Sequence, residues 1–364
     1  MGCCGEDEPV RKKFHLTGIF IILALFLSTG CGGIGPKTVA RDRFDYIKAV
    51  SDSWEKQMLL NLVRLRYVHA PVFLDIASII NTYSLETELE AGASWNAFIP
   101  GDSQIVGGRG RYTDRPTITY TPLVGEKFTE NLMTPLPVSG ILALLQAGWP
   151  VEFVFRISVQ TINGIENRSG AELMRRSLDP RFNSLLEALG KIQTSAGLSA
   201  RVKPLGEKKA IVMFFGREPS EEILMEMKNV RRILGLNPDS WEFRVVYGSV
   251  ATDDKEIAIQ TRSMLKIMIE LASHIEVPEK DVAEGRVTAP PKEAASQFPP
   301  LIRIKNGDSL PADAYVGVRY RKRWFWIDDR DLPSKRVFAF SMILFSLTET
   351  GGRAGAPIVT VPTN

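Results

Sequence analysis

The stretch from Tyr320 to Arg336 is the most suggestive of chemistry. Arg319, Arg321, Lys322 and Arg323 surround an expected hairpin turn, and Trp324, Phe325 and Trp326 follow at once. Asp328, Asp329, Arg330 and Asp331 come next, then Lys335 and Arg336. Three carboxylates so spaced offer the oxygen ligands that a hard cation such as Ca²⁺ takes. They also offer the acid and base of a hydrolase or transferase, if two of them face one pocket. Arginine beside tryptophan suits an anionic glycan, a phosphate head group or a peptide carboxylate. Arg321, Arg323, Trp324, Trp326, Asp328, Asp329 and Asp331 are therefore the candidate binding residues. A structural explanation competes, and it is the stronger of the two. In it Trp324 and Trp326 share one face of a strand, Phe325 and Ile327 fill the other, Asp331 caps the next helix and the remaining charges pair at the surface. The Asp-x-Asp-x-Asp-Gly spacing of a dedicated Ca²⁺ loop is missing, so no metal is assigned.

The rest of the chain offers less. Beyond residue 30 the only histidines are His69 and His274, each read as a cap or surface residue. Zinc sites draw chiefly on clustered Cys and His. Ser-x-x-Lys occurs at Ser53–Lys56 and Ser263–Lys266, the spacing that penicillin-binding enzymes use, but the companion Lys-Thr-Gly is absent. No Gly-x-Ser-x-Gly elbow is present, Gly125-Glu126-Lys127 does not make a P-loop, and Gly107-Gly108-Arg109-Gly110 does not complete a dinucleotide fingerprint. No catalytic residue and no cofactor is assigned.

The elements that must position the candidate segment follow from periodicity. Strands are expected at 301–305, 315–320 and 324–328, a very apolar helix at 334–350 and a short strand at 357–361. Upstream, helical spacing predicts a helix over 44–67, broken before Pro71. From Asn81 the period becomes two: Tyr83, Leu85, Thr87, Leu89 and Ala91 alternate with Ser84, Glu86, Glu88 and Glu90. That predicts a half-buried strand, with a partner at 117–121 across a Gly-rich loop. Further expectations are helices at 137–147, 180–195 and 219–234, and strands at 210–215 and 241–247. The longest helix is expected at 254–275, with a capping box of Asp253 and Glu256. Residues 151–161 favour a strand, with a buried helix as the alternative. The fold class expected is α+β, mostly antiparallel sheet with several packed helices and room for two subdomains.

Hydrophobic content of 44% and charged content of 24% are ordinary for a globular domain, and a net charge of +3 gives no reason to expect a nucleic-acid partner. The N-terminus is different. Arg11, Lys12 and Lys13 precede an apolar stretch over 14–27, closed by Ser28, Thr29, Gly30 and Cys31. This is shorter than the ~20 apolar residues that span a bilayer, so cleavage is expected.

Leu27-Ser28-Thr29-Gly30-Cys31 resembles the lipobox of bacterial lipoproteins, with Ser28 where leucine is usual. The resemblance covers the export signal alone. It implies cleavage before Cys31, a diacylglycerol on its thiol and usually a third acyl chain, so that membrane lipid is a partner. Gly32, in place of the aspartate that signals inner-membrane retention in enteric bacteria, points to the outer membrane, with a periplasm-facing position favoured over surface exposure. The chain has 3 Cys, at positions 3, 4 and 31, so Cys31 would be the only thiol left, which suits an oxidising compartment.

The expected organisation is a signal peptide (1–30), a lipidated tether (31–40), a main α+β domain (41–278), a Pro-rich linker or long loop (279–300) and a C-terminal hairpin plus helix packed on the main domain (301–364). The expected role is a non-enzymatic interaction or structural module of the cell envelope, meeting another envelope protein or the cell wall. The alternatives are a carboxylate-based hydrolase or transferase of envelope polymers, or a lipoprotein that binds a small ligand.

Overall fold

The computed structural model describes residues 34–94, 103–167, 179–195, 198–205, 208–216, 219–290 and 300–348. The signal, Cys31 and the strand expected at 357–361 lie outside the described residues. The fold is α+β and its sheets are mostly antiparallel. Two compact units are present: a smaller one of Met1–Ser51 with Ser78–Thr119, and a larger one of Asp52–Ala77 with Tyr120–Asn364.

The smaller unit holds the first turns of α1 (Ile34–Arg66) and most of a two-stranded sheet, β1 (Phe73–Ser94) with β2 (Ser103–Leu123). Both strands are longer than periodicity predicts. The Gly-rich stretch at 107–110, expected as a loop, is part of β2. α1 also starts earlier than predicted, so that residues 34–40, expected as tether, belong to its first turns.

In the larger unit α1 buries Met58, Leu59, Leu62 and Val63 and stops at Arg66, five residues before Pro71. Its end is a Schellman turn: the His69 amide donates to the Arg64 carbonyl at 2.8 Å and the Val68 amide to the Leu65 carbonyl at 3.0 Å. Val68 sits at φ 60°, the left-handed position that glycine usually fills.

The main sheet has six strands in the order β4 (Ile165–Glu166), β3 (Val159–Ile162), β8 (Glu256–Thr261), β7 (Glu242–Tyr247), β6 (Lys208–Phe215) and β5 (Leu198–Leu205). Only the β7–β8 pair in it is parallel. α5 (Pro180–Thr194) starts at an Asp179 cap with Pro180 in its first turn, and buries Phe182, Leu185, Leu186, Leu189 and Ile192. α6 (Glu221–Leu234) is capped by Ser220, closes on Gly235 at φ 68° and buries Met227, Val230 and Leu234. These faces join Met213, Phe215, Phe243, Ile257 and Ile259 in the hydrophobic core. Each such side chain contributes roughly 1.5–3 kcal/mol.

Two expectations are corrected here. Residues 151–158 form a helix, α4 (Val151–Ser158), and only Val159–Ile162 is strand. Val151, Val154, Phe155 and Ser158 are buried at helical spacing, and the carbonyls of the last turn are taken up from within. The fully buried Arg262 donates to the Arg156 and Ile157 carbonyls at 3.0 Å, and Asn167 donates to those of Phe155, Arg156 and Val159. A cation at a helix C-terminus is the arrangement the helix dipole favours. The helix expected at 254–275 divides into strand β8 and helix α7 (Met264–Ser273). Glu256 is a core-strand residue bonded to Arg244 and Thr252, so no capping box forms with Asp253.

α2 (Glu126–Met133), α3 (Val138–Gln146) and α8 (Glu279–Ala283) complete the helices before the second sheet. That sheet runs β10 (Ala314–Tyr320), β11 (Arg323–Asp328), β9 (Lys305–Gly307), and α9 (Leu332–Thr348) follows. Phe345 of α9 stacks on Phe73 at 4.6 Å between ring centres, with Trp54 at 6.1 Å.

Candidate functional site

β10 and β11 pair from Ala314↔Asp328 to Tyr320↔Arg323, leaving Arg321 and Lys322 as a two-residue turn. Both have positive φ, 47° and 68°, as a type I′ turn requires. Asn and Gly normally take these places, so the turn stores backbone strain. Along β11, Phe325 and Ile327 are buried, while Trp324 and Trp326 share the half-buried face. The Trp326 ring lies across Gly307, where an added Cβ would come to 3.1 Å from it, a tight contact that the ring would have to relieve by a small shift.

The charged candidates fall into two groups at opposite ends of β11, about 16 Å apart at ~3.3 Å per residue, with Trp324 and Trp326 along the strand between them. The carboxylates at its end are engaged. Asp328 accepts two parallel bonds from the Arg330 guanidinium, both 3.0 Å, one from the Arg330 amide and one from Lys305 at 3.1 Å. The Arg330 hydrogen bond, with help from Lys305, holds the Asp328 carboxyl well below the usual carboxylate range. Asp329 pairs with Lys335 at 2.6 Å. Asp331 caps α9, accepting from the Ser334 amide at 3.2 Å and its hydroxyl at 2.7 Å. A general acid needs a raised pKa, whereas Asp328 is held as the anion; Asp329 is engaged by Lys335 and Asp331 is spent on a helix end.

At the turn the arrangement is different. Arg323 bonds Asp308 at 2.9 Å and Asn306 at 3.2 Å. The Arg321 guanidinium lies 4.9 Å above the Tyr67 ring, and Tyr67 and Tyr320 are 5.4 Å apart. His69 shares a hydrogen bond with the Tyr320 hydroxyl through Nδ1. The Tyr67 hydroxyl donates to Asp281 at 2.6 Å, and burial together with that bond pushes its pKa up. Three non-glycine residues of positive φ, Val68, Arg321 and Lys322, thus lie one or two places in sequence after two tyrosines whose rings meet at a tilt of 52°. Such a corner can present a cation and apolar edges to a partner, but its groups are committed to one another rather than poised for proton transfer. Tyr67, His69 and Asp281 escape sequence reasoning because they join the turn only through the fold, His69 being 251 residues from Tyr320.

The Ser-x-x-Lys motifs are structural. Ser263 caps α7, accepting from the Lys266 amide at 3.2 Å, and Ser53 and Lys56 are exposed on α1. His274 lies 3.5 Å from Glu270, one turn earlier on α7. Among the described residues no group of His, Cys, Asp and Glu could hold a metal ion. A cleft of about 620 Å³ opens between Leu142, Leu145, Pro150, Thr194, Ala200 and Met213. Its two glutamines are committed to backbone: Gln193 accepts from Val151 and donates to Trp149, and Gln146 donates to Ala200. Among the described residues no charged side chain lines it. Compared with family models, curated proteins and solved structures, the chain gives no match.

Proposed function

We propose that the chain is a lipid-anchored module of the bacterial cell envelope, held by acyl chains on Cys31 and working through contacts rather than catalysis. One observation carries the reading: a charged, then apolar, then small-residue segment closes on Cys31, beyond which the chain has no other cysteine. Each buried methylene of an acyl chain contributes ~0.8 kcal/mol, so two chains hold firmly where one holds marginally. The engagement of Asp328, Asp329 and Asp331 supports the non-catalytic half, because no free pair remains there to act as acid and base. Glycine after Cys31 favours the outer membrane, and the periplasmic side is the proposed position.

Cells fed labelled palmitate test the anchor. The wild-type chain is expected to take up label and fractionate with membranes, and Cys31→Ser to lose the label and accumulate unprocessed or released. A wild-type chain without label, or a Cys31→Ser chain matured and membrane-bound like the wild type, overturns the reading.

The cleft beside α3 supports a second reading, capture of a small apolar ligand, since its volume lies in the ordinary range of ligand sites. Native mass spectrometry of the purified chain would show a bound small molecule, released by Met213→Trp. A chain of bare mass throughout rules it out.

A further inference from the structure

The β1–β2 hairpin carries an inference about what this module contacts. Its strands of 22 and 21 residues form a sheet of two, and among the described residues no third strand joins either edge. A lone hairpin is at best marginally stable in water, and long edges left with unpaired N–H and C=O groups recruit further strands. Ile80 and Ile118, in the part that belongs to the smaller unit, are exposed.

The sequence of the hairpin says what it recruits. In β1, Tyr83, Leu85, Thr87, Leu89, Ala91 and Ala93 alternate with Ser84, Glu86, Glu88, Glu90, Gly92 and Ser94, Thr87 being the one polar member of the first set. In β2, Val106, Gly108, Gly110 and Tyr112 alternate with Gly107, Arg109, Arg111 and Thr113. One apolar or small face, one charged face and a tyrosine on the apolar set of each strand make the dyad pattern of a strand between lipid and water. Proline-free chain runs from Ser103 to Arg115, ending at Pro116, which is long enough for the 9–11 residues a tilted strand needs to cross hydrocarbon. A single hairpin cannot enter a bilayer, because its edges would stay unpaired there. Only a closed barrel satisfies them.

Charge selects how closure happens. β1 contains Asp75, Glu86, Glu88 and Glu90 and no basic residue, while β2 contains Arg109, Arg111 and Arg115 with one acid, Asp114. Glu88, Arg109 and Arg111 are exposed. Pairing β1 of one copy with β2 of the next brings an acidic strand beside a basic one at each junction. Pairing like strands places like charges together, which is unfavourable. The favoured contact is therefore head to tail, the kind that closes into rings.

We propose that this hairpin is a self-assembly element: several copies of the chain join β1 to β2 into a closed barrel that crosses the membrane, with the Glu/Arg face lining a water-filled lumen. Eight strands make the smallest spanning barrels, so roughly four or more copies are needed. The proposal rests on the reading of Cys31 as an anchor, which would hold the copies on one membrane surface.

The test uses the full lipidated chain, purified in detergent. Its only other thiol would be acylated, so an introduced cysteine reports alone. A Glu88→Cys chain mixed with an Arg109→Cys or Arg111→Cys chain is expected to give disulfide-linked dimers in excess over either variant alone. Reconstituted into planar lipid bilayers, the wild-type chain is expected to give stepwise conductance. The double variant Arg109→Glu, Arg111→Glu, which sets acid beside acid at every junction, should weaken both the mixed dimer and the conductance, and replacement of residues 81–115 by a short Gly-Ser turn should abolish them. A labelled, membrane-bound chain that stays monomeric and gives no mixed dimer overturns the proposal, as do linked assemblies that leave the bilayer sealed. Loss of acyl label alone overturns the anchor and leaves the cross-linking and conductance to decide this assembly.

Discussion

At the scale of single residues, the acidic end of β11 shows how position turns reactive groups into structural ones. Asp328 meets a bidentate guanidinium, a backbone amide and an ammonium, all within 3.1 Å. Hydrogen bonds to the charged form lower a carboxyl pKa, and the folded state then binds its proton less readily than the unfolded chain. The linkage has a definite sign. Asp328 stabilises the fold fully above the ordinary carboxylate range near pH ~3.9, and that contribution is lost as pH falls through it towards the depressed folded value. Asp328→Asn should therefore melt below the wild type at pH 7, with the gap closing as the medium is acidified from about pH 5 to pH 2. Thermal melts across that range check it. A gap that is constant with pH would mean that packing, not charge, accounts for the loss.

At the scale of elements, strain is concentrated where the sequence departs from turn chemistry. Ile162 and Ile165 flank an Asn163–Gly164 turn with φ 45° and 77°, the residue pair such a turn favours. Arg321 and Lys322 fill the equivalent places between β10 and β11 with long side chains. An L-residue held left-handed costs roughly 1–2 kcal/mol, part of which glycine gives back as unfolded-state entropy. Lys322→Gly should thus stabilise the chain by about 1 kcal/mol in urea unfolding while Arg321 keeps its place over Tyr67. A loss of stability would show that the Lys322 side chain makes a contact worth more than the strain. The same elements show what could be read in advance. α5, α6, the β10–β11 hairpin, the buried pair Phe325 and Ile327 and the Asp331 cap all follow from local pattern and capping chemistry. α4 and β8 do not, because residues buried on all sides satisfy both periods at once. What decided them was Arg262 and Asn167 reaching the end of α4, a contact made about 100 residues apart along the chain in the case of Arg262. Asn163–Gly164, by contrast, is a local turn signal that marks the β3–β4 hairpin from sequence alone.

At the scale of the whole molecule, stability is distributed unevenly, and the unevenness is what self-assembly would act on. β8 lies between β3 and β7 and is buried at all but one of its positions, so its amides open only with global unfolding. Among the described residues β1 and β2 have one neighbouring strand each, so the outer ladder edge of each faces no other strand, although Gln57 bonds the Leu74 amide and carbonyl. In a monomer, hairpin amides with solvent-facing N–H groups should exchange hydrogen within minutes, while those of β8 persist for hours or longer. In an assembled barrel each strand gains a second neighbour and the hydrocarbon excludes water, so protection over 81–94 and 103–115 should rise by several orders of magnitude with no change over 256–261. Exchange read by mass spectrometry on the detergent monomer and on the bilayer form separates the two states directly. Hairpin protection that is equal in both forms would mean that the strands find no partner in the membrane, and the reason for their length would then have to be sought in water.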